Sequence, residues 1–386
     1  MFKYYGVTMK RSLFNNLIIA SISLSSLQAC AQPEQKIPLD ASANNYKLEL
    51  VSEGIQIPWG MAWLNERDLL VTDRRGELRL IRDGKLVEQA VKGTPKVHDE
   101  GQGGLLDIEL DPNFADNGWI YFSYSGYEGD GEGYNTSIMR ARFKDMTLVD
   151  QQLLFDGEPN IKTTKHYGSR IEFDKEGYLY FSIGDRGKRD VHPQSLDYDA
   201  GKIHRINSDG SIPKSNPFYN HKTTHKSIYS YGHRNPQGMA MHPETGVIWS
   251  HEHGPRGGDE INIVKAGANY GWPEITYGIN YIGTKITDET SREGMEQPDW
   301  YWVPSIAPSG MEFITSDKYP QWQGQIAVGS MKFGHLVLVK LDGDKVTGHS
   351  KVFEGVGRVR SLATHPNGDL YLGVDGVGIY KVVPKS

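Results

Sequence analysis

The sequence predicts an all-β fold, and more specifically a six-bladed β-propeller of four-stranded antiparallel blades. Two observations predict it. The 386 residues include 44 Gly, 21 Tyr and 8 Trp, with short apolar runs and no long amphipathic stretch, a composition typical of strands and turns. A unit of two apolar strands around a turn also recurs six times along the chain, and such self-similarity indicates a repeat architecture.

The six units share one pattern: an apolar strand, a turn with Pro, Asn, Asp or Gly, and a second apolar strand. A second hairpin follows each of them, and four strands per unit fit a propeller blade. Repeats of an ordinary β-sandwich are the alternative, but six similar units with no sign of two sheets favour the propeller. The units begin at Gly60, Leu106, Ile171, Gly238, Gly310 and Leu362, and the second hairpins at residues 77–81, 138–143, 202–206, 261–264, 335–341 and 378–382.

The N-terminal residues predict an export signal over residues 1–30. The basic residues Lys10 and Arg11 precede the apolar residues 13–27, which end shortly before Cys30, and this order is typical of a secretory signal. The segment that ends at Cys30 resembles a bacterial lipoprotein box, so we expect a lipid on this cysteine and a periplasmic protein anchored to the membrane by that lipid. A plain signal peptide in which Cys30 is incidental is the alternative.

The remainder of the chain divides into a short connection and one domain. Residues 31–45 are polar with two prolines and are predicted to be a tether, while residues 46–386 are predicted to form the propeller. A formal net charge of -6 and a pI near 6.1 argue against a nucleic-acid surface, which needs a clustered basic footprint.

Polar and cationic side chains stand immediately outside the predicted strands. His166 precedes one strand and could act as a base near neutral pH, while Arg234 and Asn235 precede another and offer directional donors. Taken singly, each is more often a turn or surface residue. Several cations at similar blade positions in an acidic protein indicate a polyanionic small molecule. The remaining members of this set are Gln102, Lys332, Arg358 and Arg360.

Residues 251–260 combine carboxylates with glycines that expose carbonyl oxygens. Oxygen ligands of this kind suit Ca²⁺. The two histidines of the segment could instead indicate zinc, but no third histidine or cysteine lies at a suitable spacing. We therefore expect calcium.

Several motifs in a fixed order resemble one family, the soluble aldose sugar dehydrogenases that depend on pyrroloquinoline quinone (PQQ) and are related to soluble quinoprotein glucose dehydrogenase. The resemblance covers roughly residues 47–384, and its independent motifs make chance similarity very improbable. The motifs are residues 106–114, 166–170, 184–187, 232–238, 253–260, 268–273, 308–311 and 357–360.

The resemblance implies PQQ and Ca²⁺ as cofactors and particular roles for residues of this chain. His166 and Arg234 are implied as catalytic residues: His166 takes the proton of the anomeric hydroxyl and Arg234 steadies the oxyanion, while the C1 hydride passes to C5 of PQQ and a lactone forms. Implied calcium ligands are the carbonyls of Gly254 and Pro255 at the cofactor, and Glu260 with Tyr270 at a second, structural site. Implied PQQ contacts are Gln102, Arg234, Asn235, Tyr281, Met331, Lys332, Phe333, Arg358, Val359 and Arg360.

The resemblance also implies an aldose substrate, an external electron acceptor and a monomer or homodimer. Lys165 precedes the histidine where glucose-oxidising relatives tend to carry an acid, which puts a preference for glucose in doubt. A calcium-dependent propeller lactonase and a non-catalytic binding propeller are the rival hypotheses. The lactonase would have no use for so many cations, and the binding propeller would not need His166, Arg234 or Lys332.

Overall fold

The computed structural model describes residues 35–385, and within them 24 strands form six four-stranded antiparallel sheets. The predicted six-bladed propeller is confirmed. The export signal and Cys30 lie outside the described residues. No helix among residues 35–385 is long and apolar enough to cross a membrane.

Each blade runs from an innermost strand at the central axis to an outermost strand at the rim. Blades one to three contain β2 (Pro58–Trp63), β3 (Asp68–Asp73), β4 (Glu77–Arg82) and β5 (Lys85–Leu86); β6 (Leu105–Leu110), β7 (Trp119–Gly126), β8 (Asn135–Lys144) and β9 (Thr147–Asp156); and β10 (Ile171–Phe173), β11 (Tyr178–Ile183), β12 (Lys202–Asn207) and β13 (Ile228–Tyr231).

Blades four to six complete the ring. They contain β14 (Pro236–Met241), β15 (Ile248–Glu252), β16 (Asp259–Ile263) and β17 (Trp300–Trp302); β18 (Pro308–Phe313), β19 (Ile326–Ser330), β20 (His335–Asp342) and β21 (Lys345–Val352); and β22 (Val359–Thr364), β23 (Leu370–Val374) and β24 (Gly378–Pro384), completed by β1 (Tyr46–Glu53). Within residues 35–385 the helical segments are a 3-10 turn, Ala43–Asn45, and α1, Phe114–Asn117.

The two ends of the domain close the ring. Strand β1 pairs antiparallel with β24, with Tyr46 opposite Pro384 and Glu53 opposite Gly378. The sixth blade therefore takes its outermost strand from the beginning of the domain and its other three strands from the end.

The apolar core lies in layers between neighbouring blades. Leu70 of blade one packs with Ile108 and Phe122 of blade two, and Trp249 of blade four packs with Phe313 of blade five. Alternation along each strand produces these layers, because successive side chains point to opposite faces of a sheet.

A single buried arginine, Arg170, joins all six blades at the axis. It lies just before β10 of blade three, and its guanidinium donates to one group in each of the other five blades at 2.7 to 3.5 Å. These acceptors are the carbonyl of Trp59, the carboxylate of Asp107, the carbonyl of Gln237, the hydroxyl of Ser309 and the carbonyl of Arg360.

The described part of the predicted tether, residues 35–45, lies along the fifth blade and its neighbours. The Gln35 amide donates to the carbonyl of Val303 at 2.8 Å, and the indole of Trp322 donates to Ser42 Oγ at 2.8 Å. A role as a tether stays a prediction.

Candidate active site

Segments that precede the innermost strands meet segments that follow the second strands at one end of the ring, which we call the upper face. At its centre His166 adopts a left-handed backbone conformation, with φ of +54°. Its Nδ1 lies 2.6 Å from Asp185 Oδ1. Because Asp185 is buried and a carboxylate accepts, this contact fixes a proton on Nδ1 and leaves Nε2 as the acceptor.

Two further donors hold the Asp185 carboxylate. The indole of Trp272 donates to Oδ2 at 2.9 Å, and the amide of Gly187 donates to Oδ1 at 2.7 Å. Burial alone would raise the pKa of Asp185, but its hydrogen bond with His166 and the charges nearby hold that pKa below the ordinary value. The carboxylate therefore stays ionised and orients the imidazole.

The charge state of His166 follows from its surroundings. Burial, and after it the positive charge of Arg234, lowers the pKa of His166 below its ordinary value, while Asp185 acts in the opposite direction. The side chain is 14% exposed. A neutral imidazole with an accessible Nε2 is the form that can take a proton from a bound hydroxyl group.

Arg234 lies beside this pair, at the start of blade four. Its Nη1 donates to the carbonyls of His253 and Gly254 at 2.7 and 3.1 Å, and its guanidinium lies 5.4 Å from the ring of Trp272. The Glu252 carboxylate accepts from the Arg234 backbone amide at 2.6 Å. The cation is thus held by neutral carbonyls, and its charge remains available to an anion.

Gln102 and Asn235 both bind the segment that carries His166. Gln102 Oε1 accepts from the His166 amide at 2.7 Å, and Asn235 Oδ1 accepts from the Gly168 amide at 3.1 Å. Their side-chain NH₂ groups remain for a ligand. Both residues therefore also stabilise the unusual backbone conformation of the histidine.

The predicted cations of blades five and six differ in their partners. Arg360 makes a two-pronged contact with Asp375, at 2.6 and 3.1 Å, and Arg358 contacts the same carboxylate at 3.3 Å and the Met331 carbonyl at 3.2 Å. Lys332 is exposed, and within residues 35–385 its ammonium group lies over the neighbouring phenyl ring, 4.9 Å from the ring centre. Lys332 is therefore the least neutralised cation of the set.

Three other predicted contacts have different surroundings. Val359 is fully buried in the core of the sixth blade, so its side chain packs in the core. Phe333 is 43% exposed next to Lys332. Tyr281 is 71% exposed, and the structure does not bring its ring to the other residues. Its carbonyl accepts from Arg256 Nη1 at 3.5 Å.

Three of the four predicted metal ligands line a cavity of about 10 Å³ next to Arg234, a volume that holds about one water molecule. Glu252 and Glu260 stand opposite each other on β15 and β16. Burial, and after it the charge of Glu252, raises the pKa of Glu260 well above its ordinary value. Gly254 and Tyr270 also line the cavity, whereas Pro255 is not among its lining residues.

The chemistry of this cavity fits a hard cation. Two carboxylates stand side by side, and Asn262 Oδ1 is buried there without a hydrogen-bond partner. Within residues 35–385 no group of three or more His, Cys, Asp or Glu gathers as a metal site, so carbonyl oxygens would have to complete the coordination, as Ca²⁺ allows.

Sequence reasoning did not identify the acidic residues of the upper face as partners of its basic groups, although Glu252 lies in the predicted calcium segment, residues 251–260. Asp73, Asp185, Glu252 and Asp375 all end, or follow within two residues of, the second strand of a blade, and each binds a basic side chain or a backbone amide of the same face. Comparison of the six repeats at this position would have revealed them as a set.

Arg74 is a further cation that sequence reasoning missed. It donates to the Gly101 carbonyl, beside Gln102, and its Nε is buried without a partner. Burial, and then the charge of Arg360, lowers the pKa of Arg74. Arg74 and Arg360 are thus neighbours, and together they increase the positive potential on this side of the upper face.

Comparison with known proteins identifies the family of the chain and agrees with its fold. A family model described as "Glucose / Sorbosone dehydrogenase" matches residues 55–380. The chain is 40% identical over 354 residues to "Aldose sugar dehydrogenase YliI" of Escherichia coli (strain K12), a match that covers 90% of this chain and 95% of that protein.

Two solved structures have the same fold. The soluble aldose sugar dehydrogenase of Escherichia coli in the apo-form superposes with a TM-score of 0.85 at 40% identity, covering 88% of this chain and 100% of that one. The PQQ-bound form of aldose sugar dehydrogenase from Streptomyces coelicolor superposes with a TM-score of 0.73 at 26% identity, covering 91% and 100%. Because the family model matches residues 55–380 and the chain is 40% identical to the Escherichia coli protein along almost its whole length, we conclude that the protein belongs to the glucose/sorbosone dehydrogenase family.

Proposed function

We propose that the protein oxidises aldose sugars at C1 to the lactone in a reaction that depends on PQQ and calcium. The observation that carries the proposal is the buried pair of His166 and Asp185, 2.6 Å apart, with Arg234 beside it. A neutral imidazole with one fixed proton and one free acceptor nitrogen suits a general base for a sugar hydroxyl.

In the proposed reaction His166 Nε2 accepts the proton of the anomeric hydroxyl group. Asp185 keeps the ring in the required tautomer and stabilises the imidazolium that forms, as a buried carboxylate does when it binds the other ring nitrogen. Arg234 lies where its charge would stabilise the developing oxyanion. When bound, PQQ would supply the redox chemistry and accept the hydride of C1 at its C5 carbon.

The cationic residues of the upper face would hold PQQ, which carries three carboxylates. Arg234, Lys332 and Arg358 retain charge that their protein contacts do not fully neutralise, and the side-chain NH₂ groups of Gln102 and Asn235 are available as donors. The PQQ-bound structure of the Streptomyces relative supports PQQ as the ligand.

We further propose that Ca²⁺ binds next to Arg234. The Gly254 and Pro255 carbonyls belong to the segment that Arg234 contacts, while Glu260 and Tyr270 line the small cavity with Glu252. A divalent cation there would relieve the repulsion between the two carboxylates, and a cation close to a quinone oxygen polarises it.

Individual sequence features also support proposals for the substrate, the electron acceptor and the location of the protein. Lys165 is exposed next to His166, so we propose aldoses other than glucose among the substrates, with electrons passed to an external acceptor.

On the sequence pattern at Cys30 we propose export to the periplasm and a lipid anchor. A mature form that begins after residue 30 and carries no lipid, identified by mass spectrometry, would contradict the anchor.

The direct test is reduction of a redox dye by the purified protein with a panel of aldoses. We expect activity only after addition of PQQ together with Ca²⁺, and loss of activity after chelation. A protein that binds no PQQ but hydrolyses lactones in a calcium-dependent way would overturn the proposal in favour of the lactonase.

A further inference from the structure

Lys202 is a fully buried lysine behind the upper face. It is the first residue of β12 and has no exposed surface. Its Nζ donates to the carbonyls of His192, Ala200 and Pro193 at 2.7, 2.8 and 3.3 Å. An ammonium has three N–H donors, so the three carbonyls match its full donor capacity.

These carbonyls belong to the connection between β11 and β12, residues 184–201, which carries Asp185. The ring of His192 folds back on this connection, with Nδ1 3.0 Å from the Asp185 carbonyl. A continuous line of hydrogen bonds therefore runs from Lys202 through His192 to Asp185, and from the Asp185 side chain to His166.

A second line runs from the same ammonium to the arginine segment. The Pro193 carbonyl, which Lys202 binds, also accepts from the Gly232 amide at 2.9 Å. Gly232 opens the segment that holds Arg234. Its own carbonyl accepts from the Trp272 amide at 2.9 Å, and the indole of Trp272 binds Asp185.

Stability alone does not account for a lysine at this position. Burial lowers the pKa of Lys202 to about 7, which shows that the charged form costs free energy there. A well-packed apolar side chain is often no less stable than a buried charge, and the His192 and Pro193 carbonyls would keep the Ser195 and Gly232 amides as donors. The lysine lies where the two lines of hydrogen bonds meet, and this position points to a role other than stability.

We propose that Lys202 is a positioning residue that fixes the distance and orientation of the His166 and Asp185 pair relative to Arg234. The inference rests on the proposed function, because His166 and Arg234 are the residues that would act on the sugar. Displacement of a reacting group by about 1 Å can cost roughly 10²-fold in rate, so a loosened connection should reduce kcat without removing any group that contacts the sugar.

The test compares Lys202→Met, which keeps no donor, with Lys202→Gln, which keeps two. The matched control is Arg205→Met, three residues further along β12. Arg205 is also a buried cation, held by Asn216 and Ser215, but it lies outside the proposed site. Each variant is purified as the full chain, and kcat, KM and urea unfolding are measured after loading with PQQ and Ca²⁺.

We expect kcat to fall about 10²-fold in Lys202→Met and less in Lys202→Gln, with KM changed little, while Arg205→Met loses stability but keeps the parental kcat. An independent readout is the NMR signal of the His166 Nδ1–H proton in the cofactor-free protein. It should be protected from exchange in the parent and in Arg205→Met, and broadened in Lys202→Met.

Parental kcat and a protected Nδ1–H signal in folded Lys202→Met would overturn the inference. If Lys202→Met does not fold, Lys202→Gln decides by the same two readouts, and failure of both to fold would show a purely structural lysine and also overturn it. An inactive parent with the NMR pattern as expected would contradict the proposed function and leave the positioning role standing.

Discussion

The upper face and the interior of the central channel carry ionisable groups of opposite sign. At the upper face, cations from four blades lie beside the strand ends, and acids at the ends of second strands balance only part of their charge. Further along the innermost strands the charge is negative. Equivalent positions of the six innermost strands are occupied by glutamate in three blades and by alanine in the other three. These residues are Glu109, Glu172 and Glu312, and Ala62, Ala240 and Ala363.

The two regions differ in how their charge is neutralised. Burial raises the pKa of all three glutamates, that of Glu109 to about 8, so protonation lowers their charge. The upper-face arginines cannot lose a proton at neutral pH and need a bound anion instead. Between the two regions lies the ion pair of Arg170 and Asp107, at 2.9 Å. An accessible cluster of fixed cations therefore indicates a ligand, whereas a half-buried cluster of carboxyls inside the channel can neutralise itself.

The largest effect is expected from His166→Gln, which removes the base and keeps the surrounding cations. General-base assistance typically contributes 10²–10⁴-fold, so we expect kcat of aldose oxidation to fall by roughly that factor. PQQ affinity and melting temperature should stay close to the parental values. A variant that oxidises aldoses at the parental rate would place the base elsewhere, and one that loses PQQ would make His166 a cofactor ligand.

Arg170→Met tests the boundary between the two regions. It leaves Asp107 buried without its partner, and removal of one member of a buried ion pair typically costs about 3–5 kcal/mol. We expect urea unfolding to show a loss of this size. Arg67→Met, which breaks an exposed pair with Asp83, is the control and should leave the urea midpoint unchanged. Equal midpoints in both variants would contradict the central role of Arg170.

Lys332→Ala and Arg358→Ala test whether the upper-face cations bind an anion. Charge-assisted hydrogen bonds contribute roughly 1.5–3 kcal/mol each, or about one to two decades of affinity. We expect the dissociation constant for PQQ to rise accordingly in both variants with little change in unfolding. Lys332→Ala should have the larger effect, since Asp375 already neutralises part of the Arg358 charge. An unchanged PQQ titration in both variants would refute the site assignment.

Glu109→Gln tests the interior carboxyls and should have the smallest effect. With a pKa near 8 in the folded state and 4.5 as the ordinary value, the folded protein keeps a proton that the unfolded chain releases, so this group lowers stability as pH rises from about 4.5 to 8. Glu109→Gln should therefore lose less stability than the parent between pH 5 and pH 8. Because Glu172 and Glu312 still titrate in the variant, only the part of the decrease that belongs to Glu109 should disappear.

Urea midpoints at the two pH values measure this difference. A parallel decrease in parent and variant would show that Glu109 is ionised in the folded protein already at low pH.

The sequence predicted the inner three strands of each blade because their apolar alternation is strong. The predicted hairpin at 77–81 corresponds to β4 (Glu77–Arg82), and the one at 335–341 to β20 (His335–Asp342). The outer strands were not located. Only one residue of β9 is buried and β5 has only two residues, so neither shows a regular apolar alternation, and the pairing of β1 with β24 joins the two ends of the domain.

For the site, the sequence identified the residues that look out of place next to apolar strands, such as His166, Arg234 and Lys332. It did not identify Asp185 or Asp375 as partners, because an aspartate after a strand is usually a turn residue. Their contacts, Asp185 with His166 and Asp375 with Arg360, depend on how the blades lie around the ring. Local sequence does not contain that information.

The closure of the ring by β1 and β24 has a consequence for the order of folding. The two strands are separated by almost the entire domain, and bringing distant segments together costs loop-closure entropy that must be spent before their hydrogen bonds form. Each of the first five blades, by contrast, can pair within a short stretch of chain. During refolding we expect the amides that join β1 to β24 to become protected from hydrogen exchange after those of blades two to five, so that the propeller exists as an open arc before it becomes a ring.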